Sequence, residues 1–207
     1  MINQKSIREH YKKRMLEIRS QEIKKGQIVL LGDCVIESID VEEHFNGLTV
    51  FNNGISGDTT KLLKETLYKR AIKYKPSKLF ISIGSNDIGF DARDVRSIYN
   101  HIVEIVEEVQ QRSKDTEIYI VSVIPVNATV ADYINRDYVD ARDNFDINML
   151  NFYLRNFTRK SKLKFVDVSK ALKNNYDTLN LKYTIDGFHL NDEGLKVISN
   201  MILKQIW

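Results

Sequence analysis

Four short apolar runs constrain this chain more than any other feature: IVLLG (28–32), LTVFN (48–52), KLFISIG (78–84) and EIYIVSVIP (117–125). They are continuous rather than alternating, and rich in Ile, Val and Phe. A strand with one wet face alternates; a strand covered on both faces does not, and such strands belong to parallel sheets sandwiched by helices. LKFVDV (163–168) is a weaker fifth candidate. Between the runs lie segments of helical period. In DVRSIYNHIVEIVEEVQQR, Ile98, Ile102, Ile105, Val106 and Val109 share one face, with Glu and Gln opposite. TTKLLKETLYKRAIKYK behaves the same way through Leu62, Leu63, Leu67 and Ile72, and Pro76 closes it. A longer helical pattern covers 136–160, and a last one runs through Leu195, Ile198, Met201, Ile202 and Ile206. The alternation predicts βαβ units, and hence an α/β fold whose central parallel sheet carries helices on both faces.

The 207 residues suffice for one sizeable core, and no linker-like stretch divides them. The opening 25 residues predict an extra helix ending at Gly26, packed on the outside of the domain or on a partner subunit. The expected organisation is therefore an N-terminal helical extension (1–26) followed by one domain (27–207). That helix is also a candidate contact for a homodimer. Net charge is only +3, and acidic residues interrupt even the most basic stretch, REHYKKRMLEIRSQEIKK, so no nucleic-acid partner is expected. One cysteine rules out an internal disulfide. The first residues lack a signal-like apolar core, and no apolar run approaches the roughly 20 residues that span a bilayer. A cytoplasmic protein without membrane insertion is the expectation.

Ligands of open α/β sheets bind beyond the carboxyl ends of the strands. Three strand-end segments there are rich in Gly and small polar residues: GDC (32–34), NNGISGDTT (52–60) and GSNDIG (84–89). A fourth, DGFHLNDEG (186–194), precedes the last helix and carries a carboxylate and a histidine. Together they can support acyl transfer. Cys34 stands where a strand enters a helix, the place for an exposed nucleophile, and a helix N-terminus is expected to lower its pKa. His189 is the candidate base, with Asp186 three residues earlier to fix its tautomer. The N–H groups of Cys34 and Gly54 and the side-chain amide of Asn86 are candidate oxyanion donors. Each piece alone has a plainer reading. A lone buried Cys is usually a small hydrophobe. Gly54 and Gly57 are also turn formers, and Asn86, Asp87, Thr59 and Thr60 also cap helices. His10, His44 and His101 show no partner pattern and read as surface or helix-flank residues. The loop 126–137 (VNATVADYINRD) is expected to shape the cleft, and the aromatic-rich stretch from Tyr138 to Tyr153 either packs a helix or lines a surface.

With these four segments in this order, the chain resembles the SGNH hydrolases, also called GDSL-type esterases, over about residues 27–205. The resemblance is closest to the acetylhydrolase-like branch, through NNGISGDTT and IPVN. It implies a flavodoxin-like three-layer α/β/α sandwich. It also implies hydrolysis of small O-acyl esters, often acetyl groups on sugars or lipids, with no metal or other cofactor. The departure is Cys34, where the family carries a nucleophilic serine. Three explanations stand side by side: an introduced substitution, a natural thiol nucleophile, or a lineage that has lost catalysis and kept its cleft. Two rival functions remain. One is O-acyl transfer to a sugar hydroxyl at the same site. The other is a non-catalytic flavodoxin-like module holding a flavin or nucleotide, against which stands the lack of any phosphate-binding Gly spacing after the first strand.

Overall fold

A computed structural model describes residues 4–89, 94–129, 131–161 and 163–207. Residues 1–3 of the expected extension and residue 130 of the expected cleft loop lie outside these. The five apolar runs form one parallel sheet of five strands in the order β2-β1-β3-β4-β5. The strands are β1 (Ile28–Gly32), β2 (Val50–Gly54), β3 (Lys78–Ser82), β4 (Glu117–Val121) and β5 (Lys164–Val166). The chain first moves outward from β1 to β2, then crosses back over β1 and continues the other way. Because parallel crossovers are right-handed, that reversal sends connections to opposite faces. Helices α4 (Thr60–Arg70), α6 (Val95–Arg112) and α8 (Asn144–Arg159) pack in sequence on one face. The helices α2 (Cys34–Glu37), α3 (Val41–His44), α9 (Val168–Leu172) and α10 (Asp192–Leu203) complete the other side, where α10 contacts both α3 and α9. This is the three-layer α/β/α sandwich. Short helices α5 (Ser85–Gly89) and α7 (Arg136–Val139) sit at the strand ends, and α1 (Gln4–Ser20) precedes the sheet.

Register is what positions the site. Gly32 pairs with Gly54 on one side and with Ser82 on the other, so β1, β2 and β3 end level. The three loops that follow therefore open on one rim, at the point where strand order reverses.

Several elements depart from the sequence pattern, each for a visible reason. The second strand continues through two asparagines to Gly54, two residues past the apolar run. Asn52 and Asn53 are tolerated there because Asn52 Nδ2 donates to the carbonyls of Ile36 and Ile39, at 2.7 and 2.9 Å, and Asn53 Nδ2 to that of Arg70 at 2.6 Å. The helical pattern over 136–160 is two helices, because Asp143 caps a new start by accepting from Phe145 N–H. The N-terminal helix ends at Ser20, and Gly26 instead sits in a turn at φ +77°.

That N-terminal helix packs on the outside of the sheet domain, one of the two expected placements. Met15 and Ile18 pack on Ile55 in the loop after β2. Arg14 donates to the carbonyls of Gly54 and Asn52, at 3.2 and 2.8 Å. It is joined to the strand-end loops of the sheet domain.

One buried cation ties the rim together. Arg70 is fully buried; it donates to the carbonyl of Gly32 at 3.0 Å and twice to that of Asn53, at 3.1 and 2.8 Å. Its Nη1 meets Asp58 Oδ2 at 2.5 Å, with both side chains fully buried. Removing one partner of such a pair leaves the other as an uncompensated charge. The expected outcome for Arg70→Met is a loss of about 3–5 kcal/mol in urea unfolding; a loss within experimental error would show the pair to be dispensable.

Candidate active site

The best-defined constellation is the turn from Thr184 to Leu190. Gly187 takes φ +89°, and a Cβ there would meet the Asn127 carbonyl at 2.5 Å, so the turn admits no larger residue. Thr184 Oγ1 accepts from Gly187 N–H at 2.9 Å and donates to the His189 carbonyl at 2.7 Å. Asp186 is thereby held beneath the imidazole, with Oδ2 2.6 Å from His189 Nδ1. Its Oδ1 accepts from the N–H groups of Phe188 and His189, at 2.9 and 2.7 Å. Burial pushes the Asp186 pKa up, but the hydrogen bonds from His189 and Phe188 outweigh it and hold the carboxyl below its usual range. An ionised carboxylate on Nδ1 puts the proton there and leaves Nε2 as the accepting nitrogen. The 126–137 loop braces this turn: Asn127 N–H donates to the Gly187 carbonyl and Asn135 N–H to that of Asp186, both at 2.8 Å.

His189, Cys34 and Asn86 line one cavity of about 220 Å³. Cys34 begins α2 and is 6% exposed. The N–H groups of Cys34 and Val35 at the helix start pull its thiol pKa down, as the sequence suggested, but they are outweighed. Burial pushes its pKa well up, the neighbouring Asp33 carboxyl adds to the rise, and Arg142 pulls only partly against them. The helix that follows has four residues, too short to build much of a dipole. A neutral thiol there needs a base, which His189 can supply.

Asn86 is fixed at both ends of its amide. Nδ2 donates to the Asp58 carbonyl at 2.9 Å, and Oδ1 accepts from Arg142 Nη2 at 2.9 Å. That orientation leaves the second Nδ2 hydrogen for the cavity. Asp87 reaches across to accept from Thr60 N–H at 2.9 Å and from Thr60 Oγ1 at 2.5 Å. Thr59 is the cap of α4, as expected.

The expected donor Gly54 is displaced from this role. Its N–H donates to Asn52 Oδ1 at 3.0 Å, and the space of its missing side chain is filled by α2, with Glu37 N 2.3 Å from an ideal Cβ. Gly54 is required for close packing of α2 on β2. Gly57 lines the cavity instead, at φ +78°. Among the described residues, no backbone bond outside helices and strands uses the N–H of Cys34 or Gly57. The sequence offered two glycines in one loop, and only the packing of α2 tells them apart.

Three further contributors carried no local signal. Arg142, 3% exposed, also donates to Ser85 Oγ at 3.1 Å and to the Tyr138 carbonyl at 2.6 Å, and lies 4.0 Å over the Phe188 ring. Tyr138 stands edge-on to His189 with ring centroids 4.6 Å apart. His10 is exposed, as expected, and from there also lines the cavity and bonds Glu37 Oε1 at 2.9 Å.

Comparison with known proteins decides the family. A model of the GDSL-like lipase/acylhydrolase family matches residues 40–197. The chain belongs to the GDSL-like lipase/acylhydrolase family. The match begins beyond Cys34, so the nucleophile position rests on geometry. A Streptococcus pneumonia structure, provisionally described as a platelet activating factor, shares 28% identity with a TM-score of 0.88, over 98% of this chain and 95% of that one. A catalytic mutant of an acetylxylan esterase from Geobacillus stearothermophilus shares the fold at 18% identity and TM-score 0.67, over 90% and 96% of the two chains. The N-acylneuraminate cytidylyltransferase of Escherichia coli O18:K1:H7 (strain RS218 / NMEC) is 29% identical over 190 residues, 91% of this chain but 42% of that protein. The chain thus spans less than half the length of that curated relative.

Two outcomes are expected of this cavity before any substrate is added. Alkylation of Cys34 by iodoacetamide is slow at pH 7 and climbs steeply in the alkaline range, and Arg142→Met slows it further at neutral pH; a fast, pH-independent reaction would contradict a neutral buried thiol. Asp33 is raised to about 7, chiefly by burial. Its folded pKa exceeds its unfolded value, so the native state holds a proton that the unfolded chain releases. Its contribution to stability is present below about pH 4 and lost as pH rises toward 7. Urea midpoints across that range should therefore fall more steeply in the parent than in Asp33→Asn.

Proposed function

We propose that this acylhydrolase cleaves small O-acyl esters, acetyl esters first, with Cys34 standing in the serine position as nucleophile. The observation that carries the reading is the Asp186–His189 pair opening on the same small cavity as Cys34 and the doubly anchored Asn86. In this reading His189 Nε2 takes the thiol proton as Sγ bonds to the ester carbonyl carbon. The carbonyl oxygen becomes an oxyanion and accepts hydrogen bonds from the N–H groups of Cys34 and Gly57 and from Asn86 Nδ2. Collapse breaks the bond to the alcohol oxygen, which leaves with the proton from His189. Water then attacks the thioester, giving its proton to His189; the C–S bond breaks, the acid departs and the thiol regains its proton.

A cavity of about 220 Å³ suits a short acyl group, since pockets for drug-sized ligands run from about 300 Å³ upward. A sugar is the favoured alcohol. One fold neighbour acts on acetylated xylan, and the curated relative is named for an acylated sugar acid. Sulfur is larger than oxygen, so a hole shaped for a serine adduct holds the thioester out of place, and misplacement of this order costs about a hundredfold in rate.

Turnover of p-nitrophenyl acetate tests the assignment. His189→Ala should abolish it. Asn86→Ala should lower kcat by roughly 10²–10³-fold with a smaller change in KM. Cys34→Ser should raise it, while the parent accumulates an acyl adduct visible by intact-mass spectrometry. Unchanged activity in both His189→Ala and Asn86→Ala would refute the assignment. Product partition toward an added sugar acceptor would redirect it to acyl transfer.

A further inference from the structure

The mechanism leaves one wall of the cavity without a role, and that wall comes from α1. Ser6, Ile7 and His10 line it, all on a helix that precedes the sheet. Ile7 lies directly on Gly57: an ideal Cβ at Gly57 would stand 2.7 Å from Ile7 Cγ2. The apolar end of Ile7 therefore closes the space beside a candidate oxyanion donor.

We infer that α1 is the specificity wall of this site, and that Ile7 sets the length of acyl chain it accepts. The inference rests on the ester-hydrolase reading above. Stereochemistry at the attacked carbon assigns the wall to the acyl side. The alcohol oxygen must face His189 to receive its proton, which puts the alcohol beside Tyr138 and Phe188. The carbonyl oxygen occupies the hole between Gly57 and Asn86. The remaining substituent, the acyl chain, is left to run along the Gly57 side, where Ile7 stands.

A wall selects by size only if it cannot swing away, and α1 is fastened at four places. Arg14 grips the carbonyls at the end of β2. Met15 and Ile18 pack on Ile55. Tyr74 OH donates to Gln21 Oε1 at 2.9 Å just past the helix end. Glu37 joins three elements: it accepts from Ser56 N–H at 2.5 Å and bonds His10 Nε2 at 2.9 Å, while itself ending the nucleophile helix. The wall, the donor loop and the nucleophile helix are thereby coupled through one carboxylate.

The test compares kcat/KM for p-nitrophenyl acetate, butyrate and hexanoate in the parent, Ile7→Ala and Ile7→Phe, with thermal midpoints for each. One methylene in an apolar pocket discriminates by roughly tenfold or more. Ile7→Ala should raise the butyrate-to-acetate ratio by about that factor, and Ile7→Phe should lower it. Ratios within twofold of the parent in both folded variants would overturn the inference. If one variant fails to fold, the other still reads the ratio in its own direction. If the parent cleaves none of the three esters, the hydrolase reading fails separately, and the wall is read by alkylation of Cys34. Iodoacetamide and its N-hexyl derivative are compared: Ile7→Ala should speed the bulky reagent selectively, and equal speeding of both would again overturn the inference.

Discussion

The Arg70 guanidinium is the interaction on which the rim depends. It is fully buried, and its partners are the carbonyls of Gly32 and Asn53 and the carboxylate of Asp58. These mark the end of β1, the end of β2 and the loop that supplies Gly57. Parallel pairing aligns the strands, but pairing alone does not fix where the chain goes after them. Arg70 does so by giving three segments one shared donor. The Asp58 carbonyl then anchors Asn86, so the third strand-end loop hangs on the same point. A charge at that depth is costly to bury, and it is kept where several backbone acceptors must be satisfied at once.

A second consequence is electrostatic. Asp33 and Asp58, both buried, are raised to about 7 and about 6, mainly by loss of water; Asp87 adds to both rises and Asp58 to that of Asp33, while Arg142 opposes the first and Arg70 the second. Arg70 stabilises charge on Asp58, and Arg142 lies close enough to Cys34 to favour its thiolate. Arg142 has a second part in the geometry. By donating to Asn86 Oδ1 it decides which way the amide faces, and a flipped amide would present an acceptor to a developing oxyanion. On the proposed reading, the site thus holds its cation behind the donor rather than in contact with substrate, where it can bias charge without competing for the carbonyl oxygen.

What the sequence made legible follows from range. The buried strands showed because apolar burial on both faces writes a continuous run, as in residues 28–32. The Asp186–His189 pair showed because three residues separate two partners within one turn, and the cap at Thr59 was equally local. Features decided by distant packing did not show. Gly54 and Gly57 sit in one loop, and only the backbone of α2 resting on Gly54 excludes it from the cavity. Arg142 reads as one charge among many because its partners Ser85 and Asn86 lie 57 and 56 residues away. His10 reads as surface and is exposed, but its bond to Glu37 leaves no local mark because the two lie 27 residues apart. The second strand was placed two residues early because Asn52 and Asn53 look like loop residues until their buried partners are seen.

The thiol shows why the neighbouring groups matter more than its position does. A cysteine at a helix start invites the inference of a ready thiolate, and here the inference fails on two counts. Burial disfavours the charged form most, and the carboxyl that caps the helix, Asp33, is the immediate neighbour of the thiol and adds to that. A buried cap acceptor suits a serine hydroxyl, which stays neutral until a base removes its proton in the transition state, and gains nothing from a pre-ionised ground state. It suits a thiolate poorly. The surroundings of Cys34 thus fit the proposed reading, in which the nucleophile reacts by general-base catalysis. On that reading, sulfur in that place works on the same terms, through His189, because burial and the Asp33 carboxyl outweigh the pull of Arg142 toward the thiolate.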